Sequence, residues 1–192
     1  MKIQTYCYNC SIEYINSIDT ELYNQVITAV KVLPKRLTQA EINADLFWLL
    51  TSNGWKYDTI PTKVGTKPPR EINVISELDE IMNRNNRELC RTSTTLDTRW
   101  KADFAKNFTM GLVQIEAQFG KEEAMFKDFC GFRICYVERR LALGIEIVLS
   151  EPALYFAHRK NAIGGMASFN IAKNTLTSVG LDCPILLIGI KD

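Results

Sequence analysis

Residues 102–121 read A-D-F-A-K-N-F-T-M-G-L-V-Q-I-E-A-Q-F-G-K, and this stretch indicates how the chain folds. Apolar and polar residues alternate along 112–119, which is the pattern of a β-strand with two different faces. A turn near residues 107–111 would return the chain on itself. We therefore expect a β-hairpin at the centre of the fold.

Two acidic side chains would meet in this hairpin. Twelve residues separate Asp103 from Glu116, so the return strand would bring the two carboxylates side by side. Side chains alternate across a strand, and Gln118 therefore points to the same side as Glu116. Two carboxylates and an amide at one point form a site for a hard divalent cation, and the sequence predicts Mg²⁺.

The spacing is close to the D…(D/E)-x-K pattern of metal-dependent nucleases. In that chemistry the acids hold Mg²⁺ against a phosphate, and the cation acidifies a bound water. Gln118 stands in the lysine position; it cannot accept a proton as an amine does, but it can orient a water or offer its carbonyl oxygen. Lys121 is a nearby cation for a phosphate or a base edge. The alternative interpretation is that these acids lie on a solvated face of the sheet.

Length and composition bound the possibilities. The chain has 192 residues, of which 46% are hydrophobic and 23% charged, as expected for one domain with a full core. No apolar run reaches the length of a membrane helix and the N-terminus does not resemble a signal peptide, so we expect a cytoplasmic protein with no membrane partner. The net charge of +1 neither supports nor excludes a nucleic-acid partner.

Cysteine and histidine usage argues against a zinc site. Cys7 and Cys10 form a C-x-x-C pair, but no second pair has matching spacing. The six cysteines are therefore interpreted as reduced thiols. His158 is the only histidine, which removes most histidine-based hydrolytic mechanisms.

The rest of the chain predicts helices around a mixed sheet. Apolar periodicity predicts helices at 12–32, 75–89, 122–140 and about 169–179, and a Thr38–Glu41 capping box begins another that ends near 53–54. Strands are predicted at 1–8, 55–57, 143–149 and 184–190, and a loop at 61–72. Continuous apolar strands separated by helices imply a sheet covered on both faces. The predicted fold class is α/β, as a single domain over residues 1–192.

Several segments together resemble a known family. A-D-F-A-K at 102–106, E-A-Q-F-G-K at 116–121, G-I-E-I-V at 144–148 and P-I-L-L-I-G-I at 184–190 resemble the BglII/BstYI-type group of type II restriction endonucleases. M-K-I, E-Y-I and N-G-W-K nearer the N-terminus are similar as well, so the resemblance spans nearly the whole chain.

The resemblance implies a fold, an activity and a set of residues. The fold would be a PD-(D/E)XK nuclease core with an N-terminal helical elaboration. The protein would be a homodimer that cuts duplex DNA at a short palindrome, centred on GATC with 5′ overhangs, using Mg²⁺ or Mn²⁺ in its place. Asp103 and Glu116 would bind the metal with the Ala117 carbonyl, and Gln118 would complete the catalytic set. The residues implied at the DNA are Lys121, Ser168 and Asn170. Apart from the resemblance, the local cluster of basic residues at Arg159 and Lys160 predicts a further DNA contact.

Two features depart from the family pattern. The gap between Asp103 and Glu116 is longer than in relatives, and the segment 163–168 differs from the family's base-reading loop. Asp45 could be an accessory upstream acid, although a solvated helix acid is the simpler interpretation. Two other functions stay open: a DNA-binding module that no longer cuts, which the missing lysine motivates, and a structure-directed repair nuclease.

Overall fold

The computed structural model describes residues 1–62, 87–158 and 164–191, without the side chain of Arg87. Its strands are β1 (Lys2–Tyr8), β2 (Lys56–Tyr57), β3 (Phe104–Phe108), β4 (Gly111–Ala117), β5 (Leu141–Leu149) and β6 (Ile185–Lys191). Its helices are α1 (Ile12–Ile18), α2 (Leu22–Lys31), α3 (Gln39–Thr51), α4 (Arg87–Cys90), α5 (Glu122–Val137), α6 (Pro152–Tyr155) and α7 (Phe169–Val179). The predicted loop at 61–72 and helix at 75–89 lie almost entirely outside the described residues.

The six strands form one mixed sheet in the order β1-β6-β5-β4-β3-β2. β4, β5 and β6 run parallel to one another, and antiparallel pairs complete both edges. Alternate residues of the central strands enter two separate hydrophobic clusters. One cluster packs under α1, α2 and α3, and the other under α5 and α7. The predicted α/β class and the sheet covered on both faces are confirmed.

The predicted hairpin is formed by β3 and β4, with its turn at residues 109–110. β4 ends at Ala117, which leaves Gln118 just beyond the strand. The predicted capping box is also present: the Thr38 hydroxyl accepts from the Glu41 N–H, and the Glu41 carboxylate accepts from the Thr38 N–H. Local sequence signals therefore position these elements correctly.

The single helix predicted over residues 12–32 is wrong. α1 ends at Ile18 and α2 begins at Leu22. Between them, the Asp19 carboxylate accepts a hydrogen bond from the Glu21 N–H at 2.9 Å. Asp side chains compete in this way with the helical hydrogen bonds of their own backbone, and the apolar periodicity continues across the break without revealing it.

The contact between β5 and α5 is tight at one glycine. A Cβ atom added to Gly144 would lie 2.7 Å from Cγ of Phe132, a distance shorter than real contacts allow. The face of β5 that carries Gly144 and, two residues later, Glu146 is thus the face on which α5 packs.

Gly144→Ala should therefore lower the free energy of unfolding by about 1–3 kcal/mol through overpacking. Urea denaturation measures the change. Adding Phe132→Leu should recover part of the loss. Gly164→Ala is the matched control, because a Cβ atom there meets open space. Equal losses for both alanine variants would contradict the packing argument.

Candidate active site

The register of the hairpin brings Asp103 and Glu116 together. Phe104 pairs with Ile115, so Asp103, which immediately precedes β3, lies opposite Glu116. The Asp103 N–H donates to Oε2 of Glu116 at 3.3 Å, and the Ala117 N–H donates to Oδ2 of Asp103 at 3.0 Å. The twelve-residue gap is therefore accommodated by one regular hairpin, and the two carboxylates meet as the spacing predicts.

Asp103 opens into a cleft. The cavity measures ≈ 220 Å³ and is lined by Asn43, Thr59, Pro61, Asp103, Phe104 and Ala117. Asn43, on α3, has a buried Oδ1 atom without a hydrogen-bond partner among the described residues. The cleft is thus lined by polar residues from two different parts of the chain, the helix α3 and the start of the β3–β4 hairpin.

Two further acids lie beside Glu116, and sequence reasoning did not assign them. Glu146 pairs directly with Glu116 in the parallel ladder between β4 and β5, so the two side chains share one face of the sheet. Asp128 comes from α5, which covers that face, and is 5% exposed. A signal was present in both cases: an acid interrupts the apolar strand around Glu146, and another occupies a core position of α5 between Met125 and Phe132.

The environment disfavours negative charge on all four carboxyl groups. Burial, with the neighbouring charges of Asp103 and Asp128, raises the pKa of Glu116 well above its usual value. Burial also raises the pKa of Glu146 and of Asp128. Asp103 keeps contact with solvent in the cleft. The protein packed around its carboxyl group nevertheless raises the pKa of Asp103 to about 6, and the charges of Asp128 and Asp58 add to the rise.

One cation among the described residues partly offsets the charge of this cluster. Lys127, an exposed residue of α5, lowers the pKa of Asp103, Glu116 and Asp128, but by less than burial raises it. Neither carboxylate oxygen of Glu146 has a hydrogen-bond partner in the part of the chain that the structure describes. The cluster is therefore electrostatically suited to a bound cation.

The donor set fits a hard divalent cation held by few protein ligands. Across residues 1–62, 87–158 and 164–191, no three His, Cys, Asp or Glu side chains converge closely enough to hold a metal ion together. Mg²⁺ commonly takes only one or two carboxylates and keeps several waters. Asp103 and Glu116 supply two such carboxylates. The six cysteines, by contrast, are free thiols.

Gln118 lies at the site, but both polar atoms of its side-chain amide form hydrogen bonds within the protein. Its Nε2 donates to Oδ2 of Asp128 at 3.1 Å, and its Oε1 accepts from the Gly120 N–H at 2.8 Å. The amide thus links the end of β4 to α5. Its predicted contact with a metal or a water is untested.

The residues predicted at the DNA fall partly together. Lys121 is the exposed N-cap residue of α5 and forms an antiparallel bridge with Met166. The Ala167 N–H donates to the Gly120 carbonyl, and the Glu122 N–H to that of Gly165. The segment 164–168 is therefore fastened to the start of α5, next to the acidic site.

Of the other residues predicted to contact DNA, Ser168 is engaged in a helix cap and Asn170 is exposed. The Ser168 hydroxyl caps α7 by accepting from the Ile171 N–H, whereas Asn170 is exposed in the first turn of that helix. Arg159 and Lys160 lie outside the described residues.

Asp45 does not belong to the site, and it is not a solvated helix acid either. Its side chain is 2% exposed and forms a two-point ion pair with Arg36, with Nε–Oδ2 at 2.6 Å and Nη2–Oδ1 at 3.0 Å. This pair fastens α3 to the segment before it. Asn43, two residues earlier on the same helix, is the one that reaches the cleft.

Comparisons with known proteins agree with the fold. A family model described as "Restriction endonuclease BglII/BglIII" matches residues 3–190. The chain is also similar to the crystal structure of restriction endonuclease BglII complexed with a DNA 16-mer, with a TM-score of 0.60 and 16% sequence identity. That match covers 100% of this chain and 78% of the other. A search of curated proteins found no match. Separately, no helix within the described ranges is long and apolar enough to cross a membrane.

The raised pKa of Asp103 makes the metal-free protein sensitive to pH. The folded state keeps a proton up to about pH 6, whereas the usual value is 3.8, so stability should fall as pH rises through that window. Asp103→Asn, measured by thermal denaturation in a chelator, should raise Tm at about pH 7.5 by roughly 2–4 °C, which corresponds to about 1 kcal/mol after allowance for solvent screening. At about pH 4 it should change Tm little.

Asp45→Asn is the control for this variant. It removes a buried acid that has an ion-pair partner and should lower Tm at neutral pH. An Asp103→Asn shift of the same size at both pH values would contradict the charge argument.

Proposed function

Because the chain belongs to the BglII/BglIII family of restriction endonucleases, we propose that it is a type II enzyme that hydrolyses double-stranded DNA at a short palindromic site. The observation that carries the proposal is the juxtaposition of Asp103 and Glu116 at the end of the β3–β4 hairpin. Two neighbouring carboxylates, of which Asp103 lines an open cleft, support metal-assisted phosphodiester hydrolysis.

The proposal assigns Asp103, Glu116 and the Ala117 carbonyl to a divalent cation, Mg²⁺ with Mn²⁺ as a substitute, and Gln118 to the same site. When bound, the cation supplies Lewis acidity toward the phosphate and makes a nearby water more acidic. The protein's part is orientation: the Ala117 N–H holds one oxygen of Asp103, and the Asp103 N–H holds one oxygen of Glu116. Because both acids have raised pKa values, binding a cation requires that they release protons, and cleavage should increase with pH.

DNA contacts are proposed for Lys121, Ser168, Asn170, Arg159 and Lys160. The proximity of Lys121 to segment 164–168 supports a joint contact surface beside the acids. For Ser168, the capping bond to Ile171 leaves its hydroxyl oxygen partly engaged. For Arg159 and Lys160 the proposal rests on their charge alone.

Finer features of the proposal rest on the resemblance. Residues 1–192 would form one nuclease domain with a PD-(D/E)XK core of the BglII/BstYI type. The DNA target would be centred on GATC, and cleavage would leave staggered 5′ ends. The N-terminal helices α1–α3 match the expected elaboration. A cytoplasmic location follows from the proposed substrate. A homodimer is proposed because a two-fold protein matches a palindromic site by symmetry.

Incubation with phage DNA and Mg²⁺ should produce discrete fragments, and sequencing their ends gives the site and the overhang. Glu116→Gln should reduce the cleavage rate at least about 100-fold, because it removes a charge that holds the cation, while gel-shift binding of DNA persists. Glu123→Gln, an exposed acid on α5, is the matched control and should cut normally.

Normal cutting by Glu116→Gln would refute the assigned site. DNA binding without any nicking by the unaltered protein would favour a non-cleaving DNA-binding module. Cutting of branched but not linear duplex would favour a repair nuclease.

The dimer is tested by sedimentation equilibrium. The chain has a mass of 21.9 kDa, and the proposal predicts twice that mass in solution with and without DNA. A protein that sediments as a monomer even on its cleavable duplex would contradict the two-fold arrangement.

A further inference from the structure

Gln118 is already bound at both ends of its side chain. The Gly120 N–H occupies its carbonyl oxygen, and its amide nitrogen donates to Asp128. A direct contact with a cation would require the first of these bonds to break. What the amide does in this structure is hold a carboxylate in place.

Asp128 is an unusual residue for the position that it occupies. It is 5% exposed and lies on the core face of α5 with Met125, Phe129 and Phe132. Burying a carboxylate among apolar side chains is costly unless hydrogen bonds or an opposite charge compensate it. Within the described ranges, Asp128 accepts a hydrogen bond from Gln118 and is stabilised electrostatically by the exposed Lys127, its neighbour in sequence.

Glu146 gives an independent indication that a positive charge is missing. Its side chain is fully buried on the face of the sheet that α5 covers, and both of its oxygens lack a hydrogen-bond partner among the described residues. It adjoins Glu116 in the ladder and interacts electrostatically with Asp128. A buried carboxyl group without a hydrogen-bond partner, beside two other acids, adds negative charge that a cation bound nearby would compensate.

Resting on the proposed function, we propose that Asp128 strengthens the cation site formed by Asp103 and Glu116, and that Gln118 is the positioning residue that holds Asp128 there. Asp128 does not need to touch the cation, since the charge of a buried group acts over several ångströms through the low-dielectric protein around it. The E-x-Q pattern then differs from E-x-K in the role of its third residue. The lysine of E-x-K adds a positive charge to the site, whereas the Gln118 amide holds the negatively charged Asp128 of α5 beside it.

Affinity for Mn²⁺ tests this inference without relying on cleavage. Titration of the full-length protein, alone and with duplex DNA, should show about 10-fold weaker binding for Asp128→Asn, the size expected when a group supporting the ligands is lost. The asparagine keeps the volume and can still accept from Gln118. Tm of the metal-free variant should be unchanged or higher, because a buried acid has been neutralised.

A double-mutant cycle tests the role of Gln118. Methionine has a similar length to glutamine but no amide. As a single substitution, Gln118→Met should weaken Mn²⁺ binding; combined with Asp128→Asn, it should weaken binding no further than Asp128→Asn alone. Glu123→Gln controls for loss of a charge from α5. Lys127→Met should strengthen Mn²⁺ binding, because it removes a competing positive charge.

The outcomes separate this inference from the function on which it rests. Failure of the unaltered protein to bind Mn²⁺ with or without DNA would contradict the proposed function itself. Loss of Mn²⁺ binding in Glu116→Gln, together with unaltered affinity in Asp128→Asn, would overturn the role of Asp128 and leave the function standing. A lower Tm for metal-free Asp128→Asn with unchanged Mn²⁺ affinity would mean that the residue is structural only. Additive effects of Gln118→Met and Asp128→Asn would refute the positioning role of Gln118.

Discussion

The constraint around which the proposed active end of this protein is arranged is that four carboxyl groups lie close together in surroundings that disfavour their negative charge. The ladder register sets Asp103 opposite Glu116 and Glu116 beside Glu146, and α5 adds Asp128 from above. Glu116 and Glu146 cannot shift along the sheet without slipping a strand, and a one-residue slip would turn every core side chain of that strand to the other face. The hydrophobic core therefore holds these carboxyl groups together, and a bound cation would offset the repulsion between their charged forms.

The same short segment connects this charge to the proposed DNA surface. Ala117 donates to Asp103, Gln118 holds Asp128, and Lys121 begins α5 and pairs with Met166. Residues 117–121 thus connect the acidic site, the helix α5 that covers it and the segment 164–168. In a nuclease, segment 164–168 would contact the DNA bases. A shift of α5 would move this segment and the acidic residues together, so binding of the correct bases would be coupled to the position of the acids.

Local signals in the sequence were sufficient for the hairpin, the capping box and the strands, and for the pairing of Asp103 with Glu116. They failed where an interaction outside the periodic pattern decides the outcome. The Asp19 side chain divides a continuous apolar pattern into two helices, and the Arg36 pair buries an acid expected to be solvated. Glu146 was missed because only the register of β4 and β5 places it beside Glu116, and Asp128 because only the packing of α5 brings it to that face of the sheet. Acids within otherwise apolar runs were the available clue.

A diffraction experiment on crystals grown with duplex DNA and Mn²⁺ tests the central claim most directly, because anomalous scattering locates the ion without assumptions about mechanism. The account predicts an ion bound between the carboxylates of Asp103 and Glu116, in contact with a DNA phosphate, with Asp128 still held by Gln118. An ion located away from these carboxylates, or DNA bound on a face of the protein remote from them, would contradict it.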